Sequence, residues 1–422
     1  MHVVVFEGIH WRTFAPFSLS RPVFMLPCGA GTLLDKQLRA TKPTRLTLWV
    51  RPGLEDYCRR LIVPKMPCPT EVNAPLDEDA ALLLSGRTLH LSGYEFEHID
   101  SVVFDEGVTG RRLVRHAQVH MPGLSPSDMM QRNERWKKVL ELPTGMPQAR
   151  LPQFVWDLIN WNEEAIVSDS IAMTDPSQPK PAGSYHLINE NDVWLGANVK
   201  LGPGCVLDAS RGALILADEV SIGANAVLQG PCYIGPHTQV TPLSLIRGGT
   251  STGPMCKIGG EISNSILNGF VNKAHHGFLG DSCIGEWVNL AAGTTTSNLK
   301  NTYGEVSMTV DGHRTKSGRR FLGSLIGDHT KTAIGTNMMT GSYAGFCTMI
   351  GCSKHPPKFI PSFTFLTDEG AAPYRLDKAQ ETMKAVFTRR GRVWNDTDRA
   401  MNEFVAEQAK MVEKQEQAEK ES

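Results

Sequence analysis

No stretch of this sequence approaches the run of about 18 apolar residues that a membrane span needs. The N-terminus, Met1-His2-Val3-Val4-Val5-Phe6-Glu7, has neither a basic leader nor a small-residue cleavage site. A cytoplasmic protein with no membrane partner is therefore expected. An excess of charge of one sign is lacking as well: 43 basic against 44 acidic side chains leave a formal net charge of −1. That balance offers no footprint for nucleic acid and suits a small neutral or anionic substrate. Cysteine is scarce and unpatterned, with nine residues (28, 58, 68, 205, 232, 256, 283, 347 and 352) and no C-x-x-C pair. Such spacing disfavours a disulfide framework or a zinc site and reads as reduced, mostly buried thiols. Nor does a chain of 422 residues need cross-links. At roughly 100 to 200 residues per domain it has room for two or three domains.

From residue 1 to 167 short apolar runs alternate with helical patterns. Val3 to Phe6, Leu46 to Val50, Leu82 to Leu84 and Val102 to Phe104 read as strands, and Leu33 to Ala40 and Leu54 to Ile62 as helices. The alternation predicts a Rossmann-like α/β domain with a largely parallel sheet. Residues 168–184, rich in Pro, Ser and Gly, read as a linker.

Beyond it, apolar residues recur every six positions: Leu195, Leu201, Leu207; then Ile222, Leu228, Ile234, Val240; then Phe278, Ile284, Leu290. Glycine often follows them, as in Ile222-Gly223, Ile284-Gly285, Ile326-Gly327 and Ile334-Gly335. A hexapeptide period fits neither helix nor simple alternation. It describes short strands that each turn one aliphatic side chain inward before a corner, which predicts a parallel β-helix over 185–366. Residues 297–324 break the period and carry Lys300, Arg314, Lys316, Arg319 and Arg320, so they read as a loop ejected from one corner. Residues 367–422 read as a helical tail whose sparse apolar positions, Met401, Phe404, Val405, Met411 and Val412, suggest fraying or packing only on a neighbouring subunit.

Three runs are specific: Asn272-Lys273-Ala274-His275-His276-Gly277-Phe278-Leu279-Gly280-Asp281, then Ile284 to Thr294 with Gly285-Glu286-Trp287-Val288-Asn289-Leu290 at its start, then Ser297-Asn298-Leu299-Lys300-Asn301. They resemble the acetyltransferase half of the bifunctional N-acetylglucosamine-1-phosphate uridyltransferase/glucosamine-1-phosphate acetyltransferase family, and more closely a divergent bacterial branch of sugar nucleotidyltransferases. The resemblance implies a left-handed β-helix that assembles as a homotrimer, with active sites between subunits, acetyl-CoA as acyl donor and a sugar phosphate or nucleotide sugar as partner.

Acyl transfer needs a base for the nucleophile's proton and donors for the tetrahedral oxyanion, and histidine titrates in the right range for the first task. By the family pattern His275 matches the base, Asn289 and Asn298 match substrate-binding positions, and Ala292 and Thr336 match positions near the cofactor. If the segment is an extended strand, His276 points to the opposite face. Arg247 is a loose match for an acceptor-binding arginine, and Arg314, Lys316, Arg319 and Arg320 are candidates for the phosphates of coenzyme A or of the acceptor. The plainer alternatives are that His275 caps a coil corner, that Asn289 and Asn298 stack in β-helix turns, and that the basic loop is a solvated face. The departures are Phe278 and Leu299 at tyrosine positions and Ser263 at a lysine position. A γ-class carbonic anhydrase, which shares such a helix, would need a three-histidine zinc site, and no His-x-x-x-x-His pair is present.

In the N-terminal half, Ser20-Arg21-Pro22 to Leu33-Leu34-Asp35 resembles the phosphate-handling segment of nucleotidyltransferases. Val23 stands at its lysine position, which leaves Arg21 as the phosphate-facing cation. Leu84-Ser85-Gly86-Arg87 replaces the usual first metal ligand, while Asp157, Asn160 and Asn162 fall where the family places the second, so Mg2+ is implied if this half is active. Equally, those residues can cap or flank a helix. Three functions stay open at this point: a bifunctional acetyl- and nucleotidyltransferase, an acyltransferase with an inactive sugar-nucleotide-binding N-terminal half, and a non-catalytic β-helix scaffold.

Overall fold

The computed structural model describes residues 1–76, 81–91, 104–106, 112–114, 116–119, 123–131, 149–173 and 178–414. The expected strand over residues 102–104 thus falls mostly outside the described residues, and so do residues 415–422 of the tail.

The apolar runs of the N-terminal half become a five-stranded sheet. Strand His2–Phe6 lies between Arg45–Trp49 and Ala81–Ser85, both parallel to it, with Thr70–Val72 parallel on one edge and His116–Val119 antiparallel on the other. Strands His2–Phe6 and Ala81–Ser85 are buried throughout, as inner strands of a sheet covered on both faces require. Helix Leu33–Thr41 starts at a capping box in which Thr32 and Asp35 satisfy each other's backbone N–H groups. Helix Val155–Ala172 closes this half, and its last turn runs into the stretch read as linker, because Ala165, Ile166, Ser168 and Asp169 are buried beneath it.

The hexapeptide repeat winds into a left-handed β-helix whose three faces hold five-, six- and nine-stranded parallel sheets. Leu207, Ile222, Leu228, Ile234, Val240, Ile284 and Leu290 fill its interior as expected. Two expected members do not. At Phe278 the register is off by one: Leu279 points inward, and Phe278 pairs with the outward Glu261. Ile334 lies on a corner and is 80% exposed. One corner is built in every coil by a residue at positive φ, running through Asn198, Glu219, His237, Met255, Phe270, Trp287, His329, Cys347 and Phe363. A side chain in that conformation is strained, and here stacking compensates in part: Phe270 and Trp287 lie 4.0 Å apart, and Arg392 sits over both rings.

Two expectations need correction. Residues 297–324 leave the coil as predicted, but they fold into a hairpin, Ser307–Val310 against His313–Lys316, around Asp311-Gly312. Val306, Met308 and Val310 bury against Trp11 and Phe14 of the N-terminal half. The tail does not depend on a neighbour: helices Leu376–Arg389 and Asp396–Val412 pack on their own chain, with Val405, Ala409 and Val412 in the same core. The Glu413 carboxylate ends the second helix by accepting from the Tyr343 hydroxyl at 2.8 Å and from the Ser362 N–H at 2.6 Å. All nine cysteines are free thiols, seven of them buried, and burial pushes Cys28, Cys256 and Cys347 up to about 12.

Candidate functional site

His275 lies at a corner between strand Asn272–Lys273 and strand Phe278–Gly280. The chain bends there, so His275 and His276 are both exposed on the outside of the bend; the opposite-face argument for His276 fails because the segment is not an extended strand. Asn272 pairs with Asn289, and Asn289 with Lys331. That register carries His275, Ala292 and Ile334 onto one column, at the same corner of three consecutive coils. The backbone behind the column is held from inside. Thr332 Oγ1 accepts from the Ala291 N–H at 3.0 Å, and the Thr336 hydroxyl donates to the Ala333 carbonyl at 2.8 Å. Thr336 is therefore buried in the wall of the corner rather than presented on its surface. The Ala292 carbonyl accepts from the Gly335 N–H at 2.8 Å.

Both candidate asparagines are engaged in ladders between coils. Asn272 donates its carboxamide to Asn289 Oδ1 at 2.5 Å. Around the next corner Asn264, Asp281 and Asn298 form a second ladder, in which the Asp281 carboxylate accepts from Asn264 at 2.7 Å and from Asn298 at 2.6 Å. The Phe278 ring lies against Gly280, where a side chain would collide with it.

Arg319 projects from the hairpin region into a cleft of about 400 Å³ lined also by Trp156, Asn160, Asn264 and Asp281. There it donates to Asn160 Oδ1 and lies 3.7 Å from the Asp157 carboxylate. The other Asp157 oxygen accepts from the Gln153 and Phe154 N–H groups at 2.9 and 3.0 Å, capping its own helix. Asp157 and Asn160, matched by resemblance to a metal site, and Arg319, a candidate for phosphates by its charge, thus meet one another. Asn162, read with Asp157 and Asn160 as a candidate metal ligand, instead accepts from the Gly29 N–H at 2.7 Å and donates to the Gly249 carbonyl at 2.7 Å, stitching the two halves together. Lys316 is exposed on the outer hairpin strand, and Arg247 is exposed beside Glu261 at 2.9 Å.

Arg21 is buried between the halves. It pairs with Asp328 and, at 3.0 Å, with Glu286, both on the β-helix, while Ser20 donates to the same Asp328 oxygen at 2.6 Å. Burial alone would lower the guanidinium pKa; the charges of Asp328 and then Glu286 outweigh it and raise the value. The cation expected to face phosphate is thereby spent on a contact between domains. At the ends of the parallel strands Glu7, next to Gly8, is fully buried and binds Arg51, whose guanidinium lies 4.0 Å over the Trp11 ring.

Residues 3–177 match the sugar nucleotidyl transferase family model. The chain is similar to the bifunctional GlmU proteins. It is 29% identical to that of Marinobacter nauticus over 149 residues, 32% of this chain and 31% of that protein. It is 35% identical over 137 residues to the bifunctional sugar-1-phosphate nucleotidylyltransferase/acetyltransferase of Sulfurisphaera tokodaii, 32% of this chain and 34% of that protein. The chain thus spans about a third of the length of the curated relatives it matches. The resemblance read from the sequence, a GlmU-like pairing of a nucleotidyltransferase fold with a β-helix, is borne out. No helix among the described residues is long and apolar enough to cross a membrane.

Proposed function

We propose that the chain is a transferase of sugar-nucleotide biosynthesis. Its β-helix moves an acetyl group from acetyl-CoA to an amino sugar or its 1-phosphate, and its N-terminal half transfers a nucleotidyl group to a sugar 1-phosphate. The observation that carries the reading is the join of a sugar nucleotidyl transferase match over residues 3–177 to a β-helix that presents His275 at an exposed corner. In acetyl transfer the amine nitrogen bonds to the thioester carbonyl carbon as His275 takes its proton. The C–S bond then breaks, and the leaving thiolate receives the proton from the imidazolium. One coil along the same column, the backbone around Ala292 would border the acyl group, and Asn289 lies three residues before it.

The corner is open within one chain. Leu243 and Ile334, at this corner on either side of His275, are 78% and 80% exposed, which supports a second subunit packing here and a homotrimer with sites between subunits. Mg2+ bound in the N-terminal half would neutralise the charge of transferring phosphates. Asp157 and Asn160 do not fit as its ligands in this arrangement, since one caps a helix and both face Arg319. Phosphate contacts likewise have to come from residues other than Arg21.

The test is release of free coenzyme A thiol from acetyl-CoA in the presence of a panel of amino sugars and their 1-phosphates. Turnover with at least one acceptor that His275→Ala removes is expected. An absence of thiol release with every acceptor would leave the β-helix as a scaffold.

A further inference from the structure

The interior column of the face that leads to the His275 corner is aliphatic in successive coils at Ile222, Val240 and Ile258, as pairing registers show, and the next position is Lys273. Lys273 is only 1% exposed. An ammonium there is costly unless its donors are satisfied, and an unbranched apolar side chain would fill the volume without that cost.

What the lysine contacts follows from the length of one corner. Four residues, 223–226 and then 241–244, separate the strands at this corner in the two earlier coils, and four, 274–277, in the His275 coil. In the coil between them only Gly259 and Gly260 intervene. Backbone carbonyls converge on the shortfall. Lys273 Nζ donates to the His275 carbonyl at 2.6 Å and to the Gly259 carbonyl at 3.1 Å, and Thr241 reaches across the short coil to donate to the Ala274 carbonyl at 3.2 Å. Gly260 is at φ +72°, and a Cβ on it would lie 2.8 Å from the His275 carbonyl oxygen, so the shortened corner admits only glycine.

We propose that Lys273 is a positioning residue for His275: its ammonium, drawn into the space left by the two-residue shortening, holds the His275 peptide and fixes the direction in which the imidazole leaves the corner. This rests on His275 being the base of acetyl transfer. The lysine does not touch substrate; it acts through the peptide of the residue that does. Burial brings the Lys273 pKa down to about 8, in keeping with an ammonium retained for its hydrogen bonds rather than for an ion pair.

The experiment compares wild type, Lys273→Met and Lys273→Gln in acetyl transfer, with KM for acetyl-CoA and for the acceptor measured separately from kcat. Lys273→Met is expected to lower kcat at least tenfold with both KM values within twofold. Lys273→Gln, which keeps an N–H donor, should recover kcat to within about fivefold of wild type, and it serves alone if the methionine variant does not fold. On a His275→Ala background neither substitution should lower the residual rate further. A Lys273→Met enzyme with wild-type kcat, or equal losses in kcat and KM for both variants, overturns the positioning role. Wild-type enzyme without His275-dependent turnover fails earlier and separately: the acetyltransfer reading falls first, and the positioning role falls with it.

Discussion

Arg21 is the residue whose removal should reveal how the two halves hold each other. Its guanidinium is buried against Asp328 and Glu286. In Arg21→Met the Asp328 carboxylate stays buried and keeps only the Ser20 hydroxyl at 2.6 Å and the Glu286 N–H at 2.8 Å. Breaking a buried pair from one side costs about 3–5 kcal/mol, because a charge is left without its partner; the two surviving hydrogen bonds place this case near about 3 kcal/mol. Removing the stranded charge should recover much of the loss, so Arg21→Met/Asp328→Asn is expected to be at least about 1.5 kcal/mol more stable than Arg21→Met alone. The assay is equilibrium urea unfolding followed by tryptophan fluorescence, with Trp11 and Trp156 reporting the N-terminal half and Trp287 the β-helix. A loss below about 1 kcal/mol in Arg21→Met, or a double variant no more stable than the single one, would refute a load carried by this pair.

Other expectations follow from individual contacts. His329 is buried against Trp287, Phe346 and Phe387, and burial holds its pKa well below 6.5. The unfolded chain therefore takes up a proton below about pH 6.5 that the folded chain refuses, and stability should fall with acidification by up to about 1.4 kcal/mol per pH unit. His329→Phe should flatten that slope in urea midpoints measured from pH 7.5 to 5. For Lys273 the folded pKa of about 8 lies below the free value of 10.5, so its contribution to stability should rise between about pH 8 and 10.5, a trend absent from Lys273→Met in the same measurement. Gly260→Ala should cost at least about 2 kcal/mol from positive-φ strain and the carbonyl clash, read as a lower unfolding midpoint. Met308→Ala should cost about 2–4 kcal/mol and raise hydrogen exchange across residues 307–316, which its burial against the N-terminal half now protects.

The β-helix was legible because its interior is periodic: a six-residue repeat of aliphatic residues has few other physical explanations, and the inward positions from Ile222 to Val240 follow from it directly. The period misplaced Phe278 and Ile334, where coils vary in length and a corner residue falls into the spacing of an inward one. The hairpin had a local signal in the alternation of Val306, Met308 and Val310 around Asp311-Gly312, masked by the charges that flank it. The partners of Arg21 had none. Asp328 lies 307 residues away, and an arginine that faces phosphate reads the same in sequence as one that faces a carboxylate. The corner grouping of His275 with Ala292 was implied by resemblance, whereas Lys273 behind it depends on a two-residue difference between coils that only the strand register exposes. For Asn289 and Asn298 the plainer alternative, stacking between coils, describes their contacts.

The most direct test of the account follows both transfers on one preparation: acetylated amino sugar from acetyl-CoA, and pyrophosphate from a nucleoside triphosphate and a sugar 1-phosphate, for wild type and His275→Ala. The account predicts both products from wild type, and from His275→Ala a loss of acetylated product of at least about 100-fold with pyrophosphate release unchanged. Acetylation at the wild-type rate without the His275 imidazole, or none from the wild-type protein, would contradict it.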